Sequence, residues 1–202
     1  KTSVTALRRE AAESLDEEAA PMNGPHTPRA SRRSGTEKTS AADIGTAHHK
    51  FLQHVSLAQA GDAAVLRKEA ERLAQQRVLT AEEAAALEIE SLASFWQSQV
   101  GQRIRQHARY VRRELPFTAR FTPAALAPFT ATPTDATLAG EFVVVQGVAD
   151  LVVLLPEEIW LLDFKTDHFS PDEMPRKTQE YAPQLKLYAA ALSRIYRRPV
   201  RE

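Results

Sequence analysis

Residues 147–167, GVADLVVLLPEEIWLLDFKTD, constrain the fold more than any other part of the chain. They contain two apolar runs that are typical of strands, separated by the turn sequence PEE, and this pattern predicts a β-hairpin. Each run carries an aspartate where an apolar residue is expected. A two-residue turn at 156–157 places Asp150 directly opposite Asp163, and a four-residue turn gives the same register.

The predicted hairpin gathers ionisable side chains on one face of the sheet. Opposed side chains have Cβ atoms about 4.5–5.5 Å apart, and Lys165 points to the face of Asp163 while Phe164 points into the core. Two facing carboxylates repel each other unless a cation lies between them. Oxygen ligands and the absence of cysteine favour Mg²⁺ or Mn²⁺. Such an ion polarises a phosphoryl oxygen and activates water, which is the chemistry of phosphodiester hydrolysis.

An alternative interpretation of these residues needs no metal. Asp163 and Lys165 would then form an exposed ion pair on an edge strand, and Asp150 would end its own strand. Isolated short motifs such as D…DxK occur often by chance. The wider sequence decides between the two interpretations.

The pattern of apolar residues predicts an α+β, or mixed α/β, domain. A helix is expected to begin after Ser40 and to run as far as Gly61, and a strand is expected over residues 109–121 with Arg113 as the exception to its alternation. A proline-rich loop is expected over 122–138. The other predicted elements are helices over 63–76, from Thr80 through Trp96, over 100–107 and over 183–196, and strands over 141–155 and 159–165.

Composition limits the possible classes of protein. The 202 residues suffice for one domain, and 26 basic and 26 acidic residues cancel. Without cysteine there is no disulfide, thiolate zinc site or iron–sulfur cluster, and no run approaches the ~18 apolar residues of a membrane span. Residues 1–40 are predicted to be a linker or disordered arm, because residues 11–40 are rich in Pro, Ser, Gly and charge. Since the sequence starts at Lys1, we expect a piece of a longer protein.

Several motifs together resemble one family. GVADL, DFKTD, the helical segment YAPQLKLYAAAL and the upstream GTAHHKFLQ resemble the PD-(D/E)xK nuclease domains of the AddA/RecB helicase–nuclease family. Shorter matches are SVTALRR, VLTAEEAAAL, RRELPF and RRPV. The resemblance implies a restriction-endonuclease-like core: a small central sheet flanked by helices, with an N-terminal helical insertion, over residues 41–202.

The resemblance also implies a role for individual residues. The implied metal ligands are His49, Asp150, Asp163 and the backbone carbonyl of Phe164. The implied catalytic residues are Asp150, Asp163, Lys165 and Glu114, and the implied DNA-binding residues are Tyr181, Gln184 and Tyr188. Helical periodicity places His48 rather than His49 on the apolar face, and the residues alone equally allow Tyr188 to be a core residue of an amphipathic helix.

The function implied by the resemblance is a Mg²⁺-dependent exodeoxyribonuclease, or single-strand endonuclease, in the repair of double-strand breaks by recombination. It further implies DNA delivered as a single strand, an ATP-dependent helicase motor on the same polypeptide, a heterodimeric AddB-like partner, and a cytoplasmic, nucleoid-associated location. No GxxxxGK[ST] loop occurs here, so ATP would bind only in the motor. The alternative is a catalytically weak DNA-binding or scaffold module of the same fold within a helicase complex.

Overall fold

The computed structural model of the chain describes residues 40–129, 141–166 and 170–201. Apart from Ser40, the predicted arm of residues 1–40 lies outside these ranges. The described helices are α1 (Ala41–His54), α2 (Ala63–Gln75), α3 (Ala81–Ala85), α4 (Ile89–Gln97), α5 (Gln99–Gln106), α6 (Pro123–Leu126) and α7 (Met174–Tyr196). The described strands are β1 (Val111–Phe121), β2 (Val143–Leu154), β3 (Ile159–Leu162) and β4 (Val200–Arg201). The predicted α+β class is confirmed.

The four strands form one sheet in the order β1-β2-β3-β4. β1, β2 and β3 are antiparallel neighbours, and β4 lies parallel to β3. Leu154 pairs with Ile159 and Leu151 pairs with Leu162, which is the register predicted from the hairpin turn. β1 begins at Val111 because the preceding residues Ala108–Tyr110 form a 3-10 turn.

Two hydrophobic cores meet at the sheet. The first core lies between the sheet and the five helices α1–α5, and it includes Phe51, Trp96 and Leu151. The second core joins α7 to the sheet and includes Val152 and Leu192. The N-terminal helices therefore form the predicted insertion on one side, and α7 covers the other.

β2 changes which of its residues face which core. Val145 and Ala149 pack in the second core, but two residues further on Leu151 packs in the first core and Val152 takes its place in the second. An undistorted strand would keep alternate residues on one face throughout. The change of face falls at Asp150, so this carboxylate lies at the boundary between the two cores.

The start of α1 is confirmed, and its predicted end is wrong. The Ser40 hydroxyl accepts a hydrogen bond from the Asp43 amide, and the Asp43 carboxylate accepts one from the Ser40 amide, which forms a capping box. The helix ends at His54 rather than at Gly61, because Val55 is extended.

The helix predicted from Thr80 through Trp96 is two helices. Its capping box between Thr80 and Glu83 is confirmed. The break follows because the amide of Glu88 donates to Nε2 of His48 at 3.0 Å instead of continuing the helical ladder. α3 ends at Ala85, the Glu88 amide is occupied by this tertiary hydrogen bond, and α4 starts at Ile89.

Two later boundaries also differ from the predictions. The proline-rich loop contains α6, with Pro123 at its first turn, and residues 130–138 of that loop lie outside the described ranges. α7 begins at Met174 rather than at residue 183, and Pro183 lies inside the helix. Pro183 has no N–H to donate to the carbonyl of Gln179, and because Gln179 is exposed this carbonyl can be solvated instead. None of the helices in the described ranges has both the length and the hydrophobicity needed to cross a membrane.

Candidate metal centre and active site

Three possible metal ligands from three different elements converge beside the sheet. His49 from α1, Glu114 from β1 and Asp150 from β2 each offer one ligand atom, and these atoms lie within 4.8 Å of one another. His49 Nδ1 is 3.7 Å from Asp150 Oδ2 and 3.9 Å from Glu114 Oε1. Both distances are too long for direct hydrogen bonds. The side chains surround a small polar space at the edge of the first core.

The strand register brings Glu114 to Asp150. Arg113 pairs with Leu151 and Leu115 pairs with Ala149, so Glu114 stands opposite Asp150 between these pairs. Glu114 has a backbone φ of 46°, in the left-handed region that a non-glycine residue rarely adopts. Alternate side chains of β1 face the first core before Glu114 and the second core after it. The strand therefore reverses which of its residues face each core at Glu114, just as β2 does at Asp150.

Arg113 connects β1 to the C-terminal end of α1. Its Nη1 lies 3.1, 2.8 and 2.7 Å from the carbonyl oxygens of Leu52, Gln53 and Val55. The last carbonyls of a helix have no partner within the helix, and a cation there interacts favourably with the helix dipole. Arg113 was the exception in the predicted alternation of β1, and its inward guanidinium holds α1, and therefore His49, against the strand that carries Glu114.

Gly45 allows α1 to approach the segment that follows β3. A Cβ atom at Gly45 would lie 3.1 Å from Oγ1 of Thr166. Thr166 immediately follows Lys165, so a glycine in GTAHH brings the helix close to the end of DFKTD. Four residues after Gly45, a little over one helical turn, the chain presents His49 to the two carboxylates.

Asp150 is held by the backbone of the neighbouring chain segment. The amide of Phe164 donates to Asp150 Oδ2 at 2.8 Å, and the Phe164 ring packs edge-on against Phe95, 5.5 Å between centroids. The ring therefore points into the first core, as predicted. Burial raises the pKa of the Asp150 carboxyl, and the hydrogen bond from the Phe164 amide partly offsets this rise. Only 13% of the side chain is exposed.

Glu114 experiences the same environment. Burial raises the pKa of its carboxyl, the charge of Asp150 raises it further, and His49 opposes both effects. Two carboxylates with raised pKa values beside one imidazole form a site in which a divalent cation is electrostatically favoured.

Asp163 lies next to this group and pairs with Lys165. It follows the last residue of β3, and continuing the register beyond Leu151 and Leu162 places it opposite Asp150. Its carboxylate forms an ion pair with the Lys165 ammonium. The charge of Asp163 raises the pKa of Asp150 and that of Lys165 lowers it, so both lie within electrostatic reach of Asp150.

The two adjacent histidines have different environments. His48 is 5% exposed, lies 2.9 Å from the carbonyl of Ile44 through Nδ1 and accepts from the Glu88 amide through Nε2. These partners use both ring nitrogens and make His48 a hydrogen-bonded core residue. The side chain of His49 is 34% exposed and faces the carboxylates. Periodicity was therefore correct about the apolar face, and the histidine beside it reaches the site.

The three residues implied to contact DNA are placed differently. Tyr181 is partly exposed, and its ring centroid lies 5.2 Å from Lys165 Nζ; Gln184 is partly buried on the same side of α7. Tyr188 is 8% exposed and packs edge-on against Phe117 in the second core. A Cβ atom at Gly147 would lie 2.9 Å from the Tyr188 hydroxyl oxygen, so this tyrosine fills the space left by the glycine. Tyr188 is therefore a core residue in this structure, and its implied contact with DNA stays a prediction.

The residues present fit a hard divalent ion. Magnesium binds oxygen ligands at about 2.0–2.1 Å in octahedral geometry, so adjacent ligands of one ion are about 3 Å apart and opposite ligands about 4.2 Å apart. The distances from His49 Nδ1 to Asp150 Oδ2 and to Glu114 Oε1, 3.7 and 3.9 Å, lie between these two values, so small side-chain movements bring the three atoms to the spacing of ligands around one ion. A cavity of about 430 Å³ opens beside the group, lined by α1 residues including Gly45, Thr46 and His49 and by Glu114. The two carboxylates offer hard oxygen ligands and the imidazole offers a nitrogen, so the group can hold a divalent metal ion.

Comparison with known families agrees with this geometry. A family model described as the PD-(D/E)XK nuclease superfamily matches residues 26–201. The chain belongs to the PD-(D/E)XK nuclease superfamily. Asp163, Phe164 and Lys165 supply the acidic residue, the free position and the lysine of the superfamily's name, while Asp150 follows Ala149 where the name has proline.

The similar curated proteins are much longer than this chain. It is 35% identical over 162 residues to a subunit of an ATP-dependent helicase/nuclease from Moorella thermoacetica, covering 80% of this chain and 11% of that protein. It is 34% identical over 168 residues to the protein of the same name from Bacillus mycoides, covering 80% of this chain and 13% of that protein. The chain therefore spans about an eighth of the length of the curated relatives it matches.

Proposed function

We propose that this chain is the nuclease domain of a longer ATP-dependent helicase–nuclease, and that it hydrolyses DNA phosphodiester bonds with a divalent metal. The observation that supports this most directly is the convergence of His49, Glu114 and Asp150 next to the ion pair of Asp163 and Lys165. Membership of a nuclease superfamily and similarity to helicase/nuclease subunits support the same reaction. Magnesium is the proposed ion, with manganese as a substitute.

The proposed ligands are His49, Asp150, Asp163 and the carbonyl of Phe164, with Glu114 bracing the site or serving a second ion. When bound there, the ion supplies Lewis-acid polarisation of a phosphoryl oxygen. The Phe164 amide fixes the orientation of Asp150, and burial keeps water from competing for this carboxylate. Lys165, which is paired with Asp163, would exchange this partner for a phosphate oxygen and neutralise the charge that develops there as the bond breaks.

The proposed substrate is single-stranded DNA delivered by a helicase motor, and the proposed pathway is the repair of double-strand breaks by recombination. The relatives are named as subunits of a helicase/nuclease, which supports this context and a partner protein of AddB type. The proposed location is the cytoplasm, with the nucleoid. ATP would serve only the motor, and no iron–sulfur cluster is proposed because the chain has no cysteine.

The test is hydrolysis of linear single-stranded DNA by the purified chain. With Mg²⁺ or Mn²⁺ the wild type is expected to degrade the DNA, and EDTA is expected to stop it. Asp163→Ala and Lys165→Ala are expected to abolish hydrolysis while leaving thermal stability nearly unchanged, and Lys186→Ala on the exposed side of α7 is the control. Full activity in both site variants would refute the assigned roles.

A further inference from the structure

A second lysine lies at the ring that borders the candidate site. Lys177 Nζ is 5.6 Å from the centroid of Tyr181, and Lys165 Nζ is 5.2 Å from the same centroid. Lys177 belongs to none of the sequence motifs discussed above, and its side chain is 21% exposed. The Tyr181 ring therefore contacts both the Lys165 ammonium group at the site and the Lys177 ammonium group on α7.

Lys177 lies on the same side of α7 as Tyr181 and Gln184, and these three residues are called the α7 stripe. Residues four apart on a helix are neighbours, so Lys177, Tyr181 and Gln184 follow one another along one side of α7. Lys186, nine residues after Lys177, lies on the opposite side and is exposed. The stripe leads from Lys165, next to the proposed metal ligands, towards the N-terminal end of the helix.

Each of the two lysines at the Tyr181 ring is paired with one carboxylate close to it in sequence. Both ammonium groups are attracted by the face of an aromatic ring, but two like charges near one ring also repel each other. Lys165 is paired with Asp163, and Lys177 has Glu180 at 3.3 Å on the next turn. Glu180 is 43% exposed, and ion pairs at or near the surface contribute little stability, so Lys177 can exchange this partner for another anion at little cost. A phosphodiester group is the anion that a strand crossing this surface presents.

We propose that Lys177 and Tyr181 form a binding subsite for a backbone phosphate of single-stranded DNA, beside the phosphate that is hydrolysed. The inference rests on the proposed nuclease function, and it extends that function to a residue outside the metal site. Lys177 contributes binding along the strand and takes no part in bond cleavage. The Tyr181 ring contacts the ammonium groups of both Lys177 and Lys165, and so brings the second lysine close to the one at the site.

The test compares Lys177→Met, Lys177→Arg and Lys186→Met in the full 202-residue chain. Hydrolysis of a fluorescent oligothymidylate is measured with Mn²⁺ at several NaCl concentrations, and binding of the same oligonucleotide is measured by anisotropy with Ca²⁺. Lys177→Met is expected to raise KM and Kd several-fold with kcat unchanged, because it removes an interaction present in both ground and transition states. The slope of log Kd against log salt is expected to fall by about 0.7, the value for one phosphate contact on a single strand.

The controls separate a binding role from a structural one. Lys177→Arg keeps the charge and is expected to keep the wild-type slope, and Lys186→Met is expected to change neither KM nor slope. A Lys177→Met protein with a lower Tm but the wild-type slope would overturn the subsite, since it would show only a cation–π contact that stabilises α7. Wild-type KM and slope in Lys177→Met would also overturn it. Absence of both binding and hydrolysis in the wild type would instead overturn the proposed function, and the subsite with it.

Discussion

Replacing Arg113 by methionine tests whether the connection between α1 and β1 holds the site together. Methionine keeps most of the aliphatic stem and removes the guanidinium that reaches the carbonyls of Leu52, Gln53 and Val55. Two of these hydrogen bonds are partly buried and the third is exposed. Hydrogen bonds to a charged group contribute about 1.5–3 kcal/mol each, and at the lower value losing the two partly buried ones costs about 3 kcal/mol. For a domain of this size that corresponds to a fall in Tm of about 6–12 °C.

The assay is urea unfolding of the metal-free protein, followed by circular dichroism, together with Mn²⁺ calorimetry. The variant is expected to unfold at lower urea with an unchanged m-value, and to bind Mn²⁺ about tenfold more weakly, because its helix no longer holds His49 in place. Arg112→Met is the matched control, since within the described residues the Arg112 guanidinium bonds to the local carbonyls of Arg109 and Val111 and to no distant segment. The control is expected to change stability by less than about 0.5 kcal/mol. Equal unfolding midpoints for the Arg113 variant and the wild type would refute the reasoning.

Three further predictions concern the candidate site and its surroundings. Burial raises the pKa of Asp150, so the folded state binds protons more readily than the unfolded state, and its stability falls as pH rises above the ordinary carboxyl pKa of about 4. In EDTA, Asp150→Asn is therefore expected to melt at a higher temperature than the wild type at about pH 7.5 but not at about pH 3.5. Saturating Mn²⁺ is expected to reverse this order at the higher pH, because the wild type binds the ion more tightly. Equal melting temperatures of the two proteins in EDTA at both pH values would contradict the prediction. A Cβ atom at Gly147 would lie 2.7 Å from a buried ring carbon, so Gly147→Ala is expected to lower the free energy of unfolding in urea by about 1–3 kcal/mol. At Gly61 the nearest atoms to an added Cβ are the end of a flexible arginine, so Gly61→Ala is expected to lower it far less. Similar losses in the two variants would count against the tight packing at Gly147. His48→Ala is expected to lower Tm by several degrees, because it removes hydrogen bonds that are partly buried. His49→Ala is expected to leave Tm nearly unchanged in the absence of metal. The opposite order in thermal melts would reverse the assignment of the two histidines.

The features that could be predicted from the sequence depend on short-range rules. The register of β2 and β3 follows from the turn length and from alternating apolar residues, and the capping boxes at Ser40 and Thr80 depend on residues three positions apart. The motif resemblance singled out His49 where periodicity alone favoured its neighbour.

Other features depend on contacts between distant segments. Between α3 and α4 the Glu88 amide donates to the His48 ring, 40 residues earlier in the chain, and no local pattern contains that contact. Tyr188 became a core residue because Gly147, on another element, leaves space for its ring. The one early sign of distortion was Arg113, whose charge interrupts the alternation of β1 directly before Glu114 takes a left-handed backbone conformation.

The most direct test of the central claim is the binding of Mn²⁺ to the metal-free chain, measured by calorimetry and electron paramagnetic resonance. The wild type is predicted to bind the ion, and His49→Ala, Asp150→Asn and Asp163→Asn are each predicted to weaken binding at least tenfold. His54→Ala, on the exposed end of the same helix, is predicted to bind like the wild type. Wild-type affinity in all three site variants would contradict the claim that these side chains from α1, β2 and the end of β3 hold the catalytic ion.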